Sequence, residues 1–139
     1  VVKPVGLTGG KGVKVQGEQL TNVVKYLNDS AKELELDIDI FQSNHEGDLV
    51  TAIQKCLGKF DGIVINPGAY THTSIAILDA AKSVNIPTVE VHISNVNERE
   101  DFRKFSYIKD YCIKSIIGEG LEGYHHALID LKAYLEAKK

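Results

Sequence analysis

The sequence is poor in cysteine, has no surplus of positive charge and contains no long apolar run. Cys56 and Cys112 are its only two cysteines in 139 residues. Both lie in apolar surroundings without metal-ligand spacing, so they fit a reducing compartment and a core-filling role better than a disulfide scaffold. Lys and Arg number 16 against 19 Asp and Glu, for a net charge of -3 and a pI near 5.9. That balance removes the electrostatic case for a nucleic-acid partner. No stretch approaches the ~20 apolar residues of a membrane span. No signal peptide opens the chain, and the expectation is a cytoplasmic protein with no membrane partner. The chain begins at Val1 and not at Met, which points to a trimmed or altered beginning. Phosphate-loop chemistry is also missing. Gly9-Gly10-Lys11-Gly12 lacks the GxxxxGK[ST] spacing, and no nucleophile elbow is present.

Hydrophobic residues make up 43% of the chain and charged residues 25%, an ordinary globular balance. The length suits a single domain over residues 1–139 with a real core. Residues 1–17 hold five glycines and one proline, a composition that reads as loop or lid with at most a short strand at Val13–Val15. Leu20, Val23, Val24, Leu27, Ala31 and Leu34 follow helical spacing. Leu36, Ile38 and Ile40 alternate with Asp37 and Asp39 as a strand. Ser43 and Glu46 have capping-box spacing for a helix carrying Leu49, Val50, Ile53, Cys56 and Leu57, closed by Gly58. Gly62–Ile65 reads as a strand covered on both faces. A helix with Ile75, Ile77, Leu78 and Ala81 follows, then a strand opened by Pro87, a charged loop at 97–103, a strand over 111–117 and an amphipathic helix from Leu121 to Leu135.

Strands thus alternate with helices, and each connection is too long for a hairpin. The economical solution is an α/β fold, a flavodoxin-like three-layer sandwich with a central parallel sheet. Ligands of such sheets bind beyond the C-terminal strand ends. The polar clusters 42–47, 66–74 and 90–103 all fall there. A nucleotide- or flavin-binding module shares this architecture, but no phosphate loop supports it here.

The chain is organised around Thr88–Asn95, TVEVHISN. Val89, Val91 and Ile93 alternate with Glu90, His92 and Ser94, which puts a carboxylate and an imidazole on one face of a buried strand. Either this is a satisfied structural pair, or Glu90 accepts from one nitrogen of His92 and holds the other toward a substrate. Asn66 offers two donors and an acceptor just past a strand, or it caps a turn. His72 lies in the same loop and reads either as an exposed residue or as a ligand group. Arg99 and Arg103 are four apart and form either a solvated face or a clamp for a carboxylate. Together these residues suit acid–base chemistry on a small anionic metabolite.

FQSNHEG at 41–47, INPGAYTHTS at 65–74, and VEVHISN at 89–95 followed by Arg99-Glu100 and Phe102-Arg103 resemble the type II 3-dehydroquinate dehydratases. The similarity runs in register from about Gly17 to the last helix. The resemblance implies an anti elimination of water from 3-dehydroquinate to 3-dehydroshikimate through an enolate, with neither metal nor cofactor. It implies His92 as the general acid and Glu90 as its orienting carboxylate. Asn66, His72, Arg103 and the backbone amides of Ile93 and Ser94 match substrate-binding positions. Asp79 matches an acid that reaches a neighbouring subunit's site. Self-association into trimers, and of trimers into a dodecamer, is implied as well.

Residues 1–17 depart from the family pattern. The family has an N-terminal central strand and then a lid that supplies an asparagine, an arginine and the tyrosine that takes the C2 proton. The tyrosine position falls on Val15, and the arginine and proline positions fall near Gly10 and Gly12. The segment holds no Tyr, Arg or Asn. Val1-Val2 is too short for the central strand, and Tyr26, Tyr70 and Tyr107 do not match the lid position. The alternative expectation is a family member that binds a dehydroquinate-like acid without efficient turnover.

Overall fold

The computed structural model describes the backbone of residues 4–9 and 17–138, and the side chains of 22–138. Five strands, β1 (Pro4–Gly9), β2 (Asp39–Ser43), β3 (Gly62–Asn66), β4 (Thr88–His92) and β5 (Lys114–Ile117), form one sheet in the order β2-β1-β3-β4-β5. Every neighbouring pair is parallel. Four helices, α1 (Gly17–Glu33), α2 (Glu46–Gln54), α3 (Ile75–Val84) and α4 (Glu122–Ala137), supply the crossovers and the last layer. The expected three-layer α/β sandwich is therefore the observed one.

Period-two alternation divides the core between the two faces. Ile63 and Ile65 of β3 pack with Leu49 and Ile53 of α2 and Ile77, Ala80 and Val84 of α3. Val64 points the other way, joining Val89 and Val91 of β4, Leu27 of α1 and Tyr124, Leu128 and Leu131 of α4. All five residues of β3 and all five of β4 are buried, as central strands of a covered parallel sheet must be. Gly62 opens β3 where α4 lies closest. A Cβ there would meet the Leu131 side chain at 2.7 Å, so a larger residue fits only if that side chain shifts.

The first segment corrects the sequence reading. Pro4–Gly9 is not loop but an inner strand, pairing Pro4–Thr8 with Gly62–Asn66 and Val5–Gly9 with Asp39–Ser43. Glycine density misled because parallel pairing on both sides overrides weak local preference. Pro4 is the strand's first residue, a position at which a missing N–H is tolerated. The sheet thus has its central member, formed by residues further on than Val1-Val2. The possible strand at Val13–Val15, the lid positions at Val15, Gly10 and Gly12, and the motif Gly9–Gly12 beyond Gly9 lie outside the described residues.

Smaller corrections follow the same logic. The Ser43/Glu46 capping box does not form. His45 is the N-cap of α2 without a side-chain cap bond, while Ser43 Oγ donates to Asp48 Oδ2 at 2.8 Å and accepts from His45 N at 3.0 Å. α2 ends at Gln54, before the turn that Gly58 closes with φ 76. The last strand starts at Lys114, because Tyr111 turns inward and donates its hydroxyl to Ile86 O at 2.7 Å. The 97–103 loop contains two short 3-10 turns, Val96–Glu98 and Asp101–Arg103. Cys56 is buried and Cys112 half-buried, both free, as a core-filling role requires.

Candidate active site

At the C-terminal edge of the sheet lies a cavity of about 440 Å³, lined among others by Asn66, His72, His92, Ser94, Arg99 and Arg103. β3 delivers Asn66 as its last residue and β4 delivers His92 as its last residue. Each parallel strand ends at the same edge, so the alternation of strands and helices itself gathers these polar ends. Val23 of α1 and Leu121, just before α4, close the side of the cavity contributed by that face.

Glu90 lies behind His92, 1% exposed, with its Oε2 2.7 Å from His92 Nε2. That contact occupies Nε2 and leaves Nδ1 as the ring nitrogen for a ligand. Three hydroxyls surround the same carboxylate: Thr71 Oγ1 and Ser106 Oγ on Oε2, and Ser115 Oγ on Oε1 at 2.8 Å. Burial alone would push the Glu90 carboxyl up. The hydrogen bonds from His92, Thr71 and Ser115 and the charge of His92 outweigh burial and hold it down at about 2. Glu90 is thus an anion at every ordinary pH. It orients the imidazole and balances its charge whenever the ring carries a second proton.

His72 sits 6.5 Å from His92, ring centroid to ring centroid, with the planes 16° apart. Its Nδ1 contacts Phe105 O at 2.6 Å. A carbonyl can only accept, so His72 carries a hydrogen on Nδ1 and turns Nε2 to other partners. Asn66 caps the turn, as one of its two expected roles requires, and stands on the cavity wall. Its Oδ1 accepts from Gly68 N at 3.0 Å, closing the turn, and its Nδ2 donates to Tyr124 Oη at 2.9 Å. Burial raises Tyr124 to about 12, so its hydroxyl stays protonated. Arg103 leans on Glu100 of its own 3-10 turn, Nε to Oε2 at 2.8 Å, at the rim of the cavity.

Beyond His92 the chain is held by two glycine amides. Gly118 N donates to His92 O at 3.0 Å and Gly120 N to Ile93 O at 3.1 Å. Gly118 has φ 79, and a Cβ on it would lie 3.0 Å from Asn95 Cβ. The two amide bonds tie the backbone of His92 and Ile93 to this turn, and a side chain at Gly118 would crowd Asn95.

The structure therefore brings together Asn66, His72, His92, Ile93, Ser94 and Arg103, with Glu90 directly behind. It does not bring Asp79 there. Asp79 is exposed on α3 and absent from the cavity wall. Nor does cluster 42–47 line the cavity; it is tied to the neighbouring turn by Tyr70 Oη donating to Asn44 O at 2.8 Å. Tyr26, Tyr70 and Tyr107 stand outside the lining. Sequence reasoning missed Asn22, Val23 and Leu121 on the wall, and Thr71, Ser106, Ser115 and Tyr124 behind it. Tyr124 lies 58 residues from Asn66, and no local pattern signals such a pairing. Among the described residues, no group of three or more His, Cys, Asp or Glu side chains is arranged to hold a metal ion.

This geometry has counterparts. A sequence model of the family described as Dehydroquinase class II matches residues 5–132. The 3-dehydroquinate dehydratase of Sulfurimonas denitrificans is 48% identical over 128 residues, which cover 87% of this chain and 80% of that protein. The 3-dehydroquinate dehydratase of Clostridium perfringens strain SM101 is 46% identical over 136 residues, covering 96% and 93%. The crystal structure of type II dehydroquinase from Butyrivibrio crossotus superposes with a TM-score of 0.87 at 41% identity, covering 94% of this chain and 97% of that one. With matches that span nearly the whole chain in sequence and in backbone, the protein belongs to the class II dehydroquinase family.

Proposed function

We propose that the protein is a type II 3-dehydroquinate dehydratase, a hydro-lyase that converts 3-dehydroquinate to 3-dehydroshikimate by anti elimination. The observation that carries this reading is the buried Glu90–His92 pair at the cavity wall, Oε2 to Nε2 at 2.7 Å, in a chain of this family. A base takes the proton from C2 and leaves an enolate. The C1 hydroxyl then departs as water with a proton from His92. One proton is taken and one given, so the elimination balances without an oxidant or reductant, in keeping with the metal- and cofactor-free reaction that the family resemblance implies. Glu90 keeps the acid's ring in place, and its own carboxyl is too weak a base to take the proton from it.

Asn66, His72 and the amides of Ile93 and Ser94 bind the substrate's hydroxyl and carboxylate oxygens, and Arg103 pairs with its negative charge. Arg99 stands on the same wall and joins that clamp. The elimination is followed by the absorbance of the conjugated enone. Turnover that disappears in His92→Ala supports the assignment, and turnover that survives it rejects His92 as the acid.

One sequence observation favours a second reading. The family's lid tyrosine falls on Val15, and residues 1–17 hold no tyrosine or arginine. Loss of a general base typically costs ~10²–10⁴ in rate. On that reading the pocket binds a dehydroquinate-like acid and turns it over poorly. Calorimetric titration with quinate, set beside the enone assay, separates a slow binder from an efficient enzyme.

The same reading extends to assembly and location. The chain acts as one domain in the cytoplasm and associates into trimers and then a dodecamer. Asp79 is exposed on α3, as is Ile75 at 53%, which is consistent with a face that another subunit covers. Among the described residues no helix is long and apolar enough to cross a membrane. Light scattering tests the assembly: a well-folded monomer at micromolar concentration contradicts it, and trimers that dissociate on Asp79→Ala support the role given to Asp79.

A further inference from the structure

The segment that follows Arg103 is bonded to the carboxylate behind His92. Ser106 Oγ lies 2.8 Å from Glu90 Oε2 and 2.9 Å from Thr71 Oγ1. On either side of Ser106 the backbone is bonded to the turn that carries Thr71 and His72. Phe105 O accepts from His72 Nδ1 at 2.6 Å, and Tyr107 N donates to Thr71 O at 2.9 Å. Ser106 is itself fixed, since its Oγ accepts from Lys109 N at 3.2 Å. Three residues before it stands Arg103, on the cavity wall.

We propose that Ser106 is a positioning residue that couples the arginine-bearing turn to the Glu90–His92 pair, so that the carboxylate, and through it the ring of His92, is held in one orientation. The proposal rests on the dehydratase reading for its kinetic part and deepens it.

Proton counting supports the assignment. A carboxylate has about four lone-pair sites and no hydrogen to give. Glu90 faces the hydroxyls of Thr71, Ser106 and Ser115 and one ring nitrogen of His92. The carboxylate is an acceptor whatever else bonds to it, so the neutral ring must present N–H to Oε2. The hydrogen of neutral His92 therefore sits on Nε2, and Nδ1 faces the ligand without one until the ring is protonated. Ser115 fixes the other oxygen and stops the carboxylate from rotating. Without Ser106, Oε2 loses one donor and the 104–109 segment loses its side-chain link to the site.

Three proteins test the idea: the unaltered chain, Ser106→Ala and Ser106→Thr, which restores a hydroxyl. Nitrogen-15 spectra of the histidine rings at a pH where His92 is neutral report the Nε2–H bond to Glu90 without any turnover. The expected result is one sharp Nε2–H signal in the unaltered chain, a shifted or broadened one in Ser106→Ala as the ring loses its fixed orientation, and recovery in Ser106→Thr. In the enone assay, Ser106→Ala is expected to lower kcat by roughly tenfold, the scale of one hydrogen bond to a charged group, with KM changed less than twofold. A Ser106→Ala protein with that signal unchanged and kcat within twofold overturns the proposal. So does a Ser106→Thr protein no better than Ser106→Ala in both readouts. If the unaltered chain fails to turn over dehydroquinate, the proposed reaction is what fails, and the Nε2–H signal alone then decides the role of Ser106.

Discussion

Asn66 Nδ2 donates to Tyr124 Oη at 2.9 Å, a bond between the end of β3 and the first turn of α4. Both groups are buried, at 7% and 1% exposure. The bond holds the amide plane of a cavity-lining residue from behind, while Gly68 N holds its oxygen. Tyr124→Phe removes the acceptor and leaves an amide hydrogen unpaired, which costs about 1–3 kcal/mol. Urea denaturation is expected to show that loss. Because Asn66 then turns more freely, KM for dehydroquinate rises more than kcat falls. A variant as stable as the parent, with both constants unchanged, removes Tyr124 from the site's support.

Glu90 gives a pH prediction with a definite sign. Its folded carboxyl lies at about 2, below the ordinary 4.5. A depressed carboxylate contributes stability that is fully present above the ordinary pKa and is lost as pH falls through the folded one. The size is about 3 kcal/mol. Compared with Glu90→Gln, the parent is expected to be more stable at pH 7. That gap narrows as pH drops from about 4.5 toward about 2. Denaturant titrations of both proteins across that range check it, and a gap independent of pH contradicts the anion assigned here.

Gly62 tests the close contact between sheet and α4. Gly62→Ala forces a Cβ to within 2.7 Å of the Leu131 side chain, and overpacking of a core typically costs about 1–3 kcal/mol. Leu131→Ala alone leaves a hole beneath the same helix and also destabilises. Together the two changes are expected to cost less than the sum of their separate effects, because the added methyl occupies part of the vacated space. Strict additivity in thermal or urea unfolding rules out this contact as the source of strain.

How much of this was legible beforehand follows from the range of each interaction. The helices, the buried run Gly62–Ile65 and the strand-end positions of Asn66 and His92 follow from local periodicity, and periodicity is written in neighbouring residues. The pairing of Glu90 with His92 also follows, since residues two apart on a strand share a face. β1 was not legible, because Pro4–Gly9 becomes a strand through partners in β2 and β3. The hydroxyls of Ser106 and Ser115 reach Glu90 across 16 and 25 residues, and serine carries no periodic signal. The assignment of Ser43 to a cap failed because the helix begins later, after His45, and the Ser43 oxygen accepts from His45 N instead.

The rim of the cavity gives the last prediction. Arg103 lines the cavity, yet its Nε lies 2.8 Å from Glu100 Oε2, three residues away on the same 3-10 turn. Glu100 is exposed, so water screens the pair and it is weak. A bound carboxylate therefore draws the guanidinium away from Glu100 at little cost. Glu100→Gln is expected to change KM by less than about fivefold, the most that an exposed pair of this kind supports. Arg103→Lys keeps the charge but loses the planar fork that grips two oxygens at once. It is expected to raise KM by about tenfold while kcat changes far less, because the charge it binds is the same in substrate and transition state. Saturation curves for the two variants decide it. A larger effect from Glu100→Gln than from Arg103→Lys makes the ion pair, and not the guanidinium fork, the element that matters. An Arg103→Lys protein with unchanged KM takes Arg103 out of the substrate clamp.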